Sequence, residues 1–216
     1  MNNASAQGLK QAFAKKQEKT TITVDSGGYE FDVPSPADLV PLKKELKTLA
    51  GYMKKQAPGN QVHEIYAPKG STEKSFINKG LYRNCDVQTI KALANQDLDA
   101  KSFKQVKSLF NRQFESLMKK VLSDMKDNTG LTIKTKEKVG SGTFIDNDSQ
   151  YAYLFYAQVA DGMGNKVDRV SAACVFYKEG KIILANIHSN LNSEKDATWV
   201  KTTAKNWLNS IKKANK

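Results

Sequence analysis

The last third of the chain contains three short runs of mostly apolar residues, each of the length of a β-strand. Residues 151–160 carry apolar side chains on both alternating faces, as a strand covered on both sides does. Two further apolar runs, Val170–Tyr177 and Ile182–Ile187, flank Glu179-Gly180, a pair that suits a tight hairpin turn. The pattern predicts three consecutive antiparallel strands.

An amphipathic helix is predicted after these strands. Ser193 is followed three residues later by Asp196, which is the spacing of a capping box at a helix N-terminus. The apolar positions then fall on one helical face: Val200, Ala204, Trp207, Leu208 and Ile211. A sheet followed by a helix that docks on it is an α+β arrangement.

The remainder of the chain has the same mixture of patterns. Residues 1–19 predict a polar, weakly helical N-terminal arm. Residues 21–24 and 29–33 predict a hairpin across residues 25–28, and Pro41 suits the first turn of a helix that ends near Gln56. Further strands are predicted at residues 62–67, 81–90, 133–139 and 143–145, with an exposed loop at 68–79.

The strongest helical periodicity lies between Ser102 and Lys126, where apolar residues recur at intervals of three and four. Together the patterns predict a single α+β domain over residues 20–216, preceded by the arm at 1–19. We expect a central, mostly antiparallel sheet with helices on both faces, that is, an α/β/α sandwich.

Composition adds a basic charge without a clear nucleic-acid signature. The 216 residues include 34 Lys and Arg against 22 Asp and Glu, a formal net charge of +12. Arginine supplies the bidentate contacts that read bases, yet the arginines are Arg83, Arg112 and Arg169 alone. Scattered lysine is typical of a solvated surface, so specific nucleic-acid binding is not expected. No apolar run approaches the ~20 residues of a transmembrane helix.

Two short motifs resemble ligand loops but lack their context. A phosphate-binding loop needs a helix after its glycines, whereas Gly140-Ser141-Gly142 precedes the strand pattern Thr143-Phe144-Ile145 and therefore predicts a hairpin turn. Asp146-Asn147-Asp148 lacks the spaced acids, glycine and closing glutamate of a calcium loop, so we expect a polar turn there.

The reactive side chains form no recognisable site. His63 and His188 have no second ligand at metal-binding spacing, and both are expected to be hydrogen-bonded structural residues. A serine–histidine–acid triad assembled from distant residues remains open, although no G-x-S-x-G motif supports it. Cys85 and Cys174 lie in apolar strands, so we favour two free, buried thiols over a disulfide.

Aromatic residues are concentrated in the same strands. They are Tyr151, Tyr153, Phe155, Tyr156, Phe176 and Tyr177. Core and cross-strand packing is the usual role of such residues. A platform on which nucleic-acid bases stack is the alternative.

One segment resembles a known family. Residues 174–184, which lead into Trp199 and Trp207, look like the closing hairpin and helix of PsbP-like proteins. The resemblance covers the last third of the chain and its general layout. It implies an α/β/α sandwich and a non-enzymatic accessory or binding role. That family has no catalytic motif to transfer, so the sequence assigns no catalytic, cofactor-binding or metal-binding residue.

The expected function is therefore a non-catalytic accessory or interaction protein, exported from a bacterium, with a protein as its unidentified partner. An enzyme whose site is assembled from dispersed residues is one alternative, and a basic module that binds an anionic polymer or a membrane surface is another. We expect no cofactor and a periplasmic or secreted location if a signal peptide was removed, otherwise a cytoplasmic one.

Overall fold

Strands dominate the described part of the chain. The computed structural model describes residues 20–42, 59–71, 82–112, 132–136, 141–160 and 166–216, with residues 132–136 and 160 described by their backbone only. The strands are β1 (Thr21–Ser26), β2 (Tyr29–Pro34), β3 (Leu39–Pro41), β4 (Asn60–Pro68), β5 (Arg83–Ile90), β6 (Thr132–Lys136), β7 (Gly142–Asp146), β8 (Gln150–Ala160), β9 (Lys166–Lys178) and β10 (Lys181–Asn190). The helices are α1 (Lys91–Ala94), α2 (described over residues 100–112) and α3 (Glu194–Ala214).

Every strand pair in the described ranges is antiparallel. Strands β1 and β2 form a two-stranded sheet, and the others form an eight-stranded sheet in the order β3-β4-β5-β10-β9-β8-β6, with β7 also paired to β8. Strand β6 pairs with residues 156–160 of β8, whereas β7 pairs with residues 151–154. The two therefore lie end to end along the same side of β8.

The alternation of side chains divides the core into two clusters. One cluster joins α3 and the β1–β2 hairpin to the large sheet. It includes Val24, Phe31, Tyr66, Cys85, Val87, Ala172, Cys174, Phe176, Ile183, Ile187, Val200, Trp207, Leu208 and Ile211. The second cluster is built from the opposite strand positions together with residues 98 and 103. It consists of Leu98, Phe103, Tyr151, Val175, Ile182 and Leu184.

Hydrogen bonds from α3 hold the hairpin in place. The indole Nε1 of Trp207 donates to the carbonyl oxygen of Pro34 at 2.7 Å. Beyond the helix end, the side chain of Asn215 accepts from the backbone N–H of Asp32 at 2.9 Å and donates to its carbonyl oxygen at 2.7 Å. The amide of Asn215 thus pairs with β2 as a neighbouring strand would.

The tip of the same hairpin packs against α1. Gly27 and Gly28 have φ angles of 63° and 89°, as a two-residue hairpin turn requires. A Cβ on Gly27 would lie 1.7 Å from the carbonyl oxygen of Ala94, so only glycine allows this contact. Beside it, buried Lys181 donates to the carbonyl oxygens of Ala94 and Gln96, both at 3.2 Å, and pairs with Asp97 at 2.9 Å.

Much of the predicted secondary structure is confirmed. The α+β class, the large antiparallel sheet and the hairpin across Glu179-Gly180 are present, and both turn residues have positive φ. All five predicted apolar positions of α3 are buried. The hairpin turn predicted over residues 25–28 is tighter, since β1 extends to Ser26.

Two predictions are wrong. Pro41 does not begin a helix: it ends β3, an edge strand, where a missing N–H costs no sheet hydrogen bond. The strands on either side of Gly140-Ser141-Gly142 do not form a hairpin, because both pair with β8 rather than with each other. The arm at 1–19 and the predicted helical residues 43–56 and 113–126 lie outside the described residues.

Among the described helices, none is both long enough and apolar enough to span a membrane.

Candidate functional site

Polar side chains from three adjacent strands meet on one face of the large sheet, and we call this set the polar lattice. Its members are Asn84, Asp86 and Gln88 on β5, Asn186 and His188 on β10, and Arg169 and Ser171 on β9. Residues two apart share a face of a strand. The register aligns Asn186 with Asp86, and His188 with both Asn84 and Ser171. The lattice therefore lies on the face opposite to Cys85, Val87 and Ile187.

Asp86 is the acceptor at the centre of the lattice. Its side chain is nearly inaccessible, with the residue 6% exposed. Oδ1 accepts from Nε2 of Gln88 at 2.6 Å and from Nδ2 of Asn186 at 3.0 Å, while Oδ2 lies 3.1 Å from Nε2 of His188. Three donors from two strands thus compensate the burial of this carboxylate.

His188 connects Asp86 to Ser171. Its Nδ1 lies 2.9 Å from Oγ of Ser171. An ionised carboxylate only accepts hydrogen bonds, so in the neutral imidazole the proton is on Nε2 and Nδ1 accepts from the serine hydroxyl. The result is a Ser–His–Asp chain in which the two ring nitrogens are exchanged relative to the triad of serine proteases.

Arg169 supplies the positive charge of the lattice. Its Nη2 donates to Oδ1 of Asn84 at 2.8 Å. Burial lowers the pKa of Arg169 to about 10, and the nearby charge of Asp86 opposes that shift. Arg169 therefore stays protonated at neutral pH, and the lattice contains one buried charge of each sign.

The geometry of Ser171 does not suit acyl transfer. Ser171 is 4% exposed and lies inside a strand that is paired on both sides, with Phe155 and with His188. Backbone N–H groups in such a strand are committed to the sheet, whereas an oxyanion hole needs donors aimed at the reacting atom. The hydrogen bonds of the lattice fix the orientation of its side chains, and the charges of Asp86 and Arg169 compensate each other.

A second polar feature lies where β5 begins, and we call it the aromatic–arginine stack: Tyr82, Arg83 and Trp199. The guanidinium carbon of Arg83 lies 5.2 Å from the ring centroid of Tyr82 and 4.5 Å from that of Trp199. Nη2 of Arg83 donates to Oδ1 of buried Asp196 at 3.2 Å, and the hydroxyl of Tyr82 donates to the same oxygen at 2.5 Å. The stack is accessible, since Tyr82 is 38% exposed.

Asp196 anchors this stack to the N-terminus of α3. Its Oδ2 accepts from the backbone N–H groups of Asn192 and Ser193 at 3.0 and 3.1 Å. Burial raises the pKa of Asp196, but the hydrogen bonds from Tyr82, Asn192, Arg83 and Ser193 outweigh it and leave the pKa below its usual value. The ionised carboxylate therefore holds both the helix end and the stack.

The two histidines and the Asp146-Asn147-Asp148 segment form hydrogen bonds within the protein. Nε2 of His63 lies 2.9 Å from Oγ1 of Thr89, and His188 belongs to the polar lattice. Oδ1 of Asn147 accepts from the backbone N–H groups of Ser149 and Gln150, which makes residues 147–150 a polar turn. In the described ranges, no three His, Cys, Asp or Glu side chains are grouped so that they could hold a metal ion.

The two cysteines are free thiols, both buried. Cys85 lies on β5 and Cys174 on β9, with β10 between them. Two strand spacings amount to about 10 Å, which exceeds the ~7 Å separation of α-carbons that a disulfide tolerates. Burial raises the pKa of both thiols.

Sequence reasoning assigned no binding residue and did not find the polar lattice. Its members are up to about 100 residues apart, and only the β5–β10 and β9–β10 pairings bring them together. A usable signal was present, since Asn84, Asp86 and Gln88 place three polar groups on one face of a strand whose other face carries Cys85 and Val87.

Comparisons with known proteins find similarity only among solved structures. No family model and no curated protein matches the chain. The solution structure of cyanobacterial PsbP (CyanoP) from Synechocystis sp. PCC 6803 is 11% identical, with 88% of this chain and 91% of that chain covered at a TM-score of 0.40. PsbP is also the family that residues 174–184 resemble in sequence.

Two further structures are similar at the same level. The Saccharomyces cerevisiae Ran-binding protein Mog1p is 11% identical over 86% of this chain and 84% of that chain, with a TM-score of 0.36. LpqN, involved in cell envelope biogenesis of Mycobacterium tuberculosis, is 12% identical over 92% of both chains, with a TM-score of 0.32.

Proposed function

We propose that this protein is a non-catalytic interaction protein and that its protein partner contacts the aromatic–arginine stack. The observation that carries the proposal is the partly exposed side chain of Arg83, 30% accessible, whose guanidinium lies over the rings of Tyr82 and Trp199. Tyrosine, tryptophan and arginine are the residues most enriched among those that dominate binding energy at protein interfaces.

The stack is also pre-organised for binding. Arg83 and Tyr82 both donate to Asp196, which is itself fixed by the first turn of α3. Side chains that are already ordered lose little further conformational entropy when a partner arrives. A rigid, partly exposed set of this composition supports docking better than it supports chemistry.

Site-specific photocrosslinking tests this proposal in cells that make the protein. A photoreactive amino acid at position 82 should give an adduct of defined mass, and Trp199→Ala should abolish it by removing one wall of the stack. The matched control carries the same group at position 30, where exposed Glu30 lies on the β1–β2 hairpin. Equal adducts at both positions, or none at position 82, would contradict the proposal.

The polar lattice supports a second candidate, a hydrolase that uses Ser171, His188 and Asp86. The favouring observation is the continuous hydrogen-bonded chain through His188. A fluorophosphonate probe, which labels activated serines, decides between the two. We expect no labelling of Ser171. Labelling of the parent that Ser171→Ala removes would establish the hydrolase instead.

We further propose that residues 20–216 form one domain with helices on both sheet faces. The ring of Phe103 on α2 stacks on Tyr177 with centroids 4.6 Å apart. Helix α3 packs against strand residues, such as Cys174 and Phe176, whose side chains lie on the other face of the sheet. A single cooperative unfolding transition, identical by tryptophan fluorescence and far-ultraviolet circular dichroism, is expected. Two separated transitions would contradict the single-domain arrangement.

A further inference from the structure

The solvent-facing side of α3 carries lysines without acidic neighbours. From residue 197 to residue 216 the chain contains five lysines and no Asp or Glu. With 100° between successive residues, Lys201, Lys205 and Lys212 fall within about 40° of one another and span about 17 Å of the helix. We call these three residues the lysine ridge. Lys205 and Lys212 are exposed and Lys201 is partly exposed.

The charge of the ridge is not neutralised within the molecule. None of its lysines takes part in an ion pair among the described residues. The nearest acid on the same helical face is Glu194, seven residues before Lys201, which is about two turns or about 10 Å along the helix. The acids Asp25, Glu30 and Asp32 lie on the β1–β2 hairpin, which contacts α3 through Trp207, about 140° around the helix from the ridge.

The residue types of the ridge distinguish between anionic partners. Lysine is depleted in protein–protein interfaces, whereas arginine and aromatic residues are enriched there. Base reading in nucleic acid depends on bidentate arginine or amide contacts, and the ridge has no arginine. A lysine is a mobile point charge that needs no fixed geometry in its partner. A fluid, flat layer of anionic headgroups meets that condition.

We propose that the lysine ridge adsorbs the protein to membrane surfaces that contain anionic lipids. Every large apolar residue of α3 faces the sheet, apart from partly buried Trp199 in the aromatic–arginine stack. The helix therefore lies on the headgroups without inserting, and the attraction is electrostatic and sensitive to salt. This surface is separate from the contact assigned to the protein partner, so either can fail without the other.

Vesicle co-sedimentation of the full chain tests the proposal. At low salt the protein should sediment with vesicles of phosphatidylcholine and phosphatidylglycerol and stay in solution with phosphatidylcholine alone. The triple variant Lys201→Gln/Lys205→Gln/Lys212→Gln should bind the anionic vesicles at least about tenfold more weakly, since each lysine near an anionic surface contributes roughly a fivefold factor. Far-ultraviolet circular dichroism checks that the variant is folded.

The control is the charge-matched variant Lys69→Gln/Lys101→Gln/Lys104→Gln, whose three lysines are exposed on the turn after β4 and on α2. It should retain binding within about threefold of the parent. Equal losses in the two variants would show that net charge alone acts. That result would overturn the proposal. So would a failure to bind anionic vesicles, and so would tighter binding to duplex DNA than to vesicles at equal phosphate concentration.

Discussion

At the scale of single residues, Asp196 shows how a buried carboxylate can stabilise a fold. Donors from Tyr82, Arg83 and two backbone N–H groups converge on it, and it lies in the first turn of α3, where a negative charge is favourable. The hydrogen bonds hold its pKa below the usual value despite burial. Protonation of Asp196 therefore weakens the native state relative to the unfolded chain.

Asp196→Asn should lower the unfolding free energy by about 1.5–3 kcal/mol at neutral pH, the value of hydrogen bonds to a charged group. Because the native pKa is depressed, the contribution of Asp196 is complete above about pH 4 and is lost as the pH falls through the native pKa. Urea denaturation from pH 7 downward should show the two curves converging in acid. Glu194→Gln, an exposed acid in the same turn, is the control and should change stability less at every pH.

Tyr66 places a polar hydroxyl group in the hydrophobic core. The side chain is fully buried and packs edge-on against Trp207, with ring centroids 5.6 Å apart. Its hydroxyl has no hydrogen-bond partner in the described part of the molecule, and burial raises its pKa. An unpaired polar group in such a place costs free energy.

Tyr66→Phe should accordingly stabilise the protein by up to about 1–2 kcal/mol, since it removes the buried hydroxyl and keeps the ring. Thermal denaturation measures the effect. The control is Tyr151→Phe, because the Tyr151 hydroxyl lies 2.9 Å from Oδ1 of Asn111 and 3.0 Å from Oγ1 of Thr143. That variant should destabilise, and a loss of stability in both would show that the Tyr66 hydroxyl is paired.

At the scale of elements, the hairpin tip offers a pair of adjacent glycines that differ in one respect. Both have positive φ, but a Cβ on Gly27 would meet the carbonyl oxygen of Ala94, whereas a Cβ on Gly28 would have no atom within 4 Å. An alanine at either position has to adopt a left-handed backbone conformation, which destabilises the protein by about 1–2 kcal/mol. Only at position 27 does a steric clash with α1 add to it.

Gly28→Ala should thus cost about 1–2 kcal/mol of stability, and Gly27→Ala about 2–5 kcal/mol, because overpacking adds its own 1–3 kcal/mol or so. Chemical denaturation of the two variants measures the difference. Equal losses at positions 27 and 28 would mean that the hairpin tip does not pack on α1.

Local signals predicted the elements better than their pairings. Glu179-Gly180, the Ser193–Asp196 capping box and the apolar face of α3 are decided by residues close in sequence, and all three were predictable. Pro41 suits a helix start and a sheet edge equally, and only the pairing of β3 with β4 decides between them. The pairing of β6 and β7 could not be predicted from local signals either, because their common partner β8 comes later in the chain.

At the scale of the whole molecule, the excess of positive charge comes mainly from lysine, since three of the 34 basic residues are arginines. The guanidinium of Arg83 lies over the rings of Tyr82 and Trp199, that of Arg169 is buried near Asp86, and Arg112 is exposed. The polar lattice could not be predicted from the sequence, because its members are far apart in the chain. Ser171 and Asp86, for example, are 85 positions apart, and no local pattern links them.

We therefore expect duplex DNA to bind only non-specifically, with a Kd of about 10⁻⁴–10⁻⁶ M at physiological salt. Fluorescence anisotropy with two unrelated duplexes measures it, and both should give the same affinity and the same steep salt dependence. A preference for one duplex that persists at high salt would contradict this expectation.

The polar lattice also has a consequence for how the chain assembles. Strands β8, β9 and β10 follow one another closely, whereas β10 meets β5 only by joining positions such as Cys85 and Ile187, about a hundred residues apart. Asp86 and His188 lie on opposite sides of that seam. A slip of one residue would turn Asp86 toward the apolar layer beneath α3, where its charge would have no partner. The lattice thus penalises a misaligned intermediate and allows the two halves of the sheet to join in one register.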